Sequence, residues 1–109
     1  MGTYLLIESR DPFDSADVER MYELAAGLAE HADEVTVYLV QNGVMPVRAA
    51  SPASARVREL AARATVLADE FSLRERGITD DEITEGVRPV PIEVLVDLLA
   101  EPGRKVMWH

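Results

Sequence analysis

Two adjacent carboxylates, Asp69 and Glu70, stand where the apolar run Ala64 to Ala68 gives way to a charged stretch that ends at Gly77. An acid pair at such a turn has several uses. It can bind a hard cation through oxygen. It can accept a phosphoryl group. It can also cap the free N–H groups that open a helix. Side by side in a partly closed site, two carboxylates repel, which favours protonation of one or recruitment of a cation. Other polar residues follow the other apolar runs: Glu8, Ser9, Arg10 and Asp11 after the first, Gln41 and Asn42 after the second, and Arg88 late in the chain. In an open parallel sheet, sites lie beyond the carboxyl ends of the strands. Asp69, Glu70, Glu8, Asp11, Asn42 and Arg88 are therefore the candidate binding residues, expected on one acid-rich rim. The competing reading is that they are solvated loop residues and helix caps.

Much chemistry is excluded by what the chain lacks. It has no cysteine, which removes disulfides, thiolate catalysis, iron–sulfur clusters and cysteine-ligated zinc. Its six glycines form neither a dinucleotide fingerprint nor a Walker loop, and no His-Glu-x-x-His pattern occurs. A phosphoacceptor would pair Asp69 with a late lysine, Lys105, but wants two acids directly at the end of strand one, where only Glu8 and Asp11 stand. A serine triad needs a base. His31 falls at the end of the first helix, where the dipole favours a cation, and His109 is expected to fray. Neither approaches the strand-three turn, so hydrolysis is not expected. No cofactor is expected.

Twenty acids against eleven bases give a formal charge of −9. That charge repels a phosphate backbone, and no basic cluster offsets it, so nucleic acid is not an expected partner. The first apolar run is too short for a signal peptide, and no stretch approaches a membrane span. A cytoplasmic location is expected.

Length and composition fit one domain over residues 1–109. Tyr4 to Glu8 reads as a buried strand. A helix over about Ala16 to His31, capped by Asp14 or Ser15, buries Val18, Met21, Leu24, Ala25 and Leu28. Val35 to Val40 has strong β propensity and is broken by Asn42-Gly43. Ser51-Pro52 opens a second helix to about Ala62, with Val57, Leu60 and Ala61 inward. Ala64 to Ala68 is the third strand, Phe71 to Arg76 a short helix ended by Gly77. Thr79 with Glu82 forms a capping box. Gly86 to Val90 is extended, because Pro89 disfavours helix before it. Ile92, Leu95, Val96 and Leu99 mark the buried face of a fourth helix, and Lys105 to Trp108 is a closing strand. Strands alternating with helices imply a single three-layer α/β domain with a mostly parallel sheet of about five strands. Val44, Met45 and Val47 are expected to be exposed.

Two short runs, Gln41-Asn42-Gly43-Val44 and Leu73-Arg74-Glu75-Arg76-Gly77, together with the order of elements along nearly the whole chain, resemble the small sulfur-relay proteins DsrE, DsrF and TusD. In catalytic members of that family a cysteine sits at the strand-three turn and carries sulfur as a persulfide. Counting back from Gly77 puts Asp69 there. A carboxylate cannot hold a sulfane sulfur. The resemblance therefore implies a DsrE-like fold and a homo-oligomeric, non-enzymatic protein that binds or docks a protein partner. The other reading is a cation, small-ligand or phosphoryl site at Glu8, Asp11, Asp69 and Glu70.

Overall fold

A computed structural model describes residues 2–32 and 34–109. Five strands, β1 (Thr3–Glu8), β2 (Glu34–Leu39), β3 (Thr65–Asp69), β4 (Val87–Val90) and β5 (Arg104–Trp108), form one sheet in the order β4-β3-β2-β1-β5. Every pairing is parallel. The helices are α1 (Asp17–Ala29), α2 (Ser54–Ala61), α3 (Glu70–Glu75) and α4 (Ile92–Ala100). The expected α/β class and five-stranded sheet are what the structure shows.

Strand parity divides the core into two. Leu6, Val37, Leu39, Val66 and Ala68 point to one side, where Val18, Met21, Tyr22 and Ala25 of α1, Val57 and Leu60 of α2 and Leu73 of α3 cover them. Leu5, Ile7, Tyr38, Leu67 and Val90 point to the other side, against Leu95 of α4. Three crossovers step the same way along the sheet. The fourth jumps back from β4 to β5, so its helix lies on the opposite face, as right-handed connections require. Among the described residues no helix is long and apolar enough to cross a membrane.

Four expectations are corrected. First, the residues after Asn42-Gly43 are not an exposed loop. Gln41–Val47 forms a 3-10 segment whose Val44 and Val47 are fully buried, with Met45 half-buried. Second, α4 does not bury Ile92, Val96 and Leu99; it packs through Leu95, with Val94 and Leu98 half-buried beside it. Third, α1 begins after Ala16 with no side-chain cap, and Asp11 rather than Asp14 or Ser15 turns the chain there, accepting the Phe13 N–H at 3.0 Å. Leu24 is exposed, and Tyr22, absent from the expected stripe, is buried. Fourth, His109 is not frayed. Its N–H donates to the Ile7 carbonyl at 2.8 Å, and its carbonyl accepts from the Ser9 N–H and Oγ, both at 2.9 Å.

The Asn-Gly pair has a steric explanation. A Cβ on Gly43 would stand 2.2 Å from the Glu8 carbonyl oxygen. Only glycine lets the segment after β2 lie against the end of β1.

Candidate functional site

The turn from β3 to α3 is built around one carboxylate. Asp69 ends β3 and caps α3: its Oδ2 accepts the Ser72 N–H at 2.9 Å and the Ser72 hydroxyl at 2.7 Å. Its Oδ1 accepts the Tyr38 hydroxyl at 3.0 Å. Ser72 Oγ in turn accepts the Gln41 N–H at 2.8 Å. Gln41 is held at φ 53°, a left-handed conformation uncommon outside glycine and one that carries strain. Asp69, Ser72 and Tyr38 are nearly or fully inaccessible. The network thus ties β2, β3 and α3 together and meets its own hydrogen-bonding needs.

The two motif runs dock on each other beside it. Asn42 Oδ1 accepts from Arg76 Nε at 3.1 Å and Nη2 at 2.9 Å, and Arg76 Nη1 donates to the Ser72 carbonyl at 3.2 Å. Gly77, at φ 66°, lets the chain leave α3. Outside this knot lies an open groove of about 680 Å³. Asp69 and Ser72 form its floor, Glu70, Arg74 and Glu93 its charged rim, and Phe71 and Ile92 its apolar wall.

Glu8 is elsewhere. It pairs in register with Leu39, so its side chain turns under α1, whereas Asp69 reaches Tyr38 on the α4 side. The expected single rim is therefore two separate places on opposite faces. Glu8 is fully buried. Its Oε2 accepts the Arg10 N–H at 2.9 Å, and its Oε1 lies 2.8 Å from His109 Nδ1. This is the edge where the strand order reverses, between β1 and β5. The pair spans almost the whole sequence, and no local signal foretells it. Asp11 is half-buried in its own turn. Arg88 is exposed and stands opposite Leu67 on the outer strand, short of the strand end. Lys105 lies over the Tyr4 ring, 5.4 Å from its centroid, on a strand three places from β3, so it does not complete a phosphoacceptor with Asp69. Among the described residues no three histidine or acidic side chains converge as a metal cage.

Two phenols report on these carboxylates. Burial pushes the Tyr38 hydroxyl far above its ordinary value, and the bond to Asp69 adds to this. Burial also raises Tyr22, reinforced by Glu8, Glu19 and Asp11. A raised phenol stabilises the fold fully below its unfolded value of about 10, and that contribution is lost as pH rises through the folded value. Stability should therefore fall above about pH 10. Absorbance near 295 nm should show these two phenolates appearing only as the far-UV circular dichroism collapses. Ionisation of all three tyrosines with the dichroism intact would contradict the buried geometry.

The DsrE/DsrF-like family model matches residues 3–108. The chain belongs to that family. Solved structures resemble it over most of their length. YchN from E. coli is 20% identical, covers 100% of both chains and superposes with a TM-score of 0.84. MTH1491 from Methanobacterium thermoautotrophicum, a protein of unknown function, is 21% identical over 98% of this chain and 99% of its own, with a TM-score of 0.77. BT1422 from Bacteroides thetaiotaomicron, also of unknown function, is 14% identical over 97% and 94%, with a TM-score of 0.77. These likenesses concern the fold. No curated protein matches the chain.

Proposed function

We propose that this DsrE-like chain is a non-catalytic, oligomeric interaction protein of the cytoplasm, built on a sulfur-relay scaffold and unable to relay sulfur itself. One observation carries the reading: the position that the family resemblance assigns to the reactive cysteine is Asp69, and its carboxylate is spent on Ser72 and Tyr38. A capped, buried carboxylate offers neither a nucleophile nor an open ligand. No thiol exists elsewhere in the chain to take its place. What the scaffold still offers is surface. The oligomeric part of the reading rests on large apolar side chains left in solvent, which include Val96 and Trp108, rather than on Val44 and Val47.

A second reading has one observation behind it. The groove above Asp69 is large enough for a small ligand, and Glu70, Arg74 and Glu93 on its rim remain available to it.

The experiment has two parts. Incubation with a persulfide donor followed by intact-mass measurement should show no reducible adduct of one sulfur, because thiolate is the acceptor this chemistry requires. A stoichiometric adduct that a reductant removes would end the non-catalytic reading. Light scattering at micromolar concentration should give a mass above the 12.0 kDa of one chain.

A further inference from the structure

The two faces of the sheet are covered unequally. Five strands spaced about 4.8 Å apart span roughly 20 Å, and one helix covers about 10 Å of that. On the first face α1 and α2 lie side by side. On the second face α4 lies alone. The consequence is visible at β5. Val106 and Trp108 pair in register with Leu5 and Ile7, so they emerge on the α4 side. They are 42% and 67% exposed. Beside them α4 presents a second apolar row. Ile92, Val96 and Leu99 recur at helical spacing and are 46%, 58% and 46% exposed.

The charge on this face decides what can cover it. None of the five side chains is charged, although the chain carries −9. The acids of α4, Glu93 and Asp97, fall on a separate stripe about a third of a turn away. Arg104 is neutralised by Glu34 and Glu101. A basic partner would gain nothing from the apolar face and would be drawn to the acids instead. A second copy is the opposite case. Two bodies of the same sign meet at least electrostatic cost through a patch that buries no like charges. A two-fold contact needs one self-complementary patch, and a neutral apolar one serves. The sheet's other edge is unsuited to pairing, because Pro89 on β4 has no N–H to donate.

From these observations, and resting on the oligomeric reading above, we infer that the α4–β5 face, formed by Ile92, Val96, Leu99, Val106 and Trp108, is where a second copy of this chain docks. Association through it has a signature in salt. Screening weakens the repulsion between two −9 chains while leaving apolar contact intact, so the complex should tighten as salt rises. Contact with an oppositely charged surface would weaken.

The unmodified protein supplies the first readout. Trp108 is the one tryptophan of the chain, so its emission should shift to the blue as concentration rises and the face becomes covered. Val96→Asp and Trp108→Ala should each weaken association at least tenfold by light scattering, with circular dichroism unchanged because both side chains are largely in solvent. Phe71→Ser, at an exposed residue on the groove and outside this face, should retain the parent's mass. If the parent associates but both variants keep its mass and Trp108 emission does not move, the face is wrong and the oligomeric reading survives. If Phe71→Ser alone dissociates it, the groove is the contact. Association that weakens with salt overturns the charge argument and points to an oppositely charged surface. A parent that stays at 12.0 kDa throughout overturns the oligomeric reading together with this one.

Discussion

Asp69→Ala should lower stability by about 3 kcal/mol, summing a lost helix cap and a buried hydroxyl left without its acceptor. That corresponds to a fall in Tm of roughly 10–20 °C for a domain of this size. The Ser72 N–H and Oγ and the Tyr38 hydroxyl all donate to this one carboxylate, and none of the three reaches solvent freely. Asp69→Asn should cost less. Its carbonyl oxygen still accepts, but its amide must face a donor. Tyr38→Phe removes one donor and leaves the cap intact, so about 1 kcal/mol is expected. Thermal unfolding of the three variants, with binding of any partner or cation that the parent takes, separates structure from function. Asp69→Asn with unchanged Tm and abolished binding would make the residue functional. Asp69→Ala within 1 kcal/mol of the parent would refute the capping account altogether.

The second large effect is expected at His109. Truncation to alanine removes the imidazole beside Glu8 and leaves a fully buried carboxylate with the Arg10 N–H alone. Removing one partner of a buried polar contact leaves the other unsatisfied, at a cost of about 1–3 kcal/mol. Glu8→Gln should cost less: its one oxygen can accept the Arg10 N–H while its NH2 donates to the imidazole. The double variant Glu8→Gln with His109→Ala is the informative one. It shows whether the cost of losing the imidazole depends on the Glu8 carboxyl. Denaturant unfolding of all four proteins gives the coupling directly. Strictly additive costs would show that the 2.8 Å contact carries no energy of its own. The main-chain bonds of His109 to Ile7 and Ser9 remain in every variant, so β5 should stay paired and the comparison stays clean.

Why one of these pairs was readable and the other was not follows from distance along the chain. Asp69 and Ser72 are three residues apart, so a cap was among the uses that local rules offered for the acid. The same holds for Thr79 and Glu82, where the Thr79 N–H donates to Glu82 Oε1 at 3.0 Å, and for Gly77. Glu8 and His109 are joined only because β5 returns to the far side of β1. That choice of strand order has no local signature.

Two misreadings share a cause. Periodicity reports which residues are apolar together, not which flank meets the sheet. α4 is apolar around most of its circumference, so Leu95 and Val96 were equivalent by pattern, and packing made one core and the other surface. For Gln41–Val47 the turn signal was right, but a turn says nothing of burial. Gly43 lies close against the Glu8 carbonyl, and Val44 and Val47 after it are buried.

By itself the sequence determined the α/β class, the alternation of five strands and four helices, the strand-to-helix turn at Asp69 and the absence of thiol chemistry. Each of these depends on residues near one another in the chain, or on composition alone. Only the tertiary structure decided that Glu8 and Asp69 face opposite sides of the sheet, that Tyr38 completes the Asp69 network, and that Val96 and Trp108 remain in solvent. Side-chain parity at the end of each strand, and the covering of one face by two helices and the other by one, are properties of the assembled sheet.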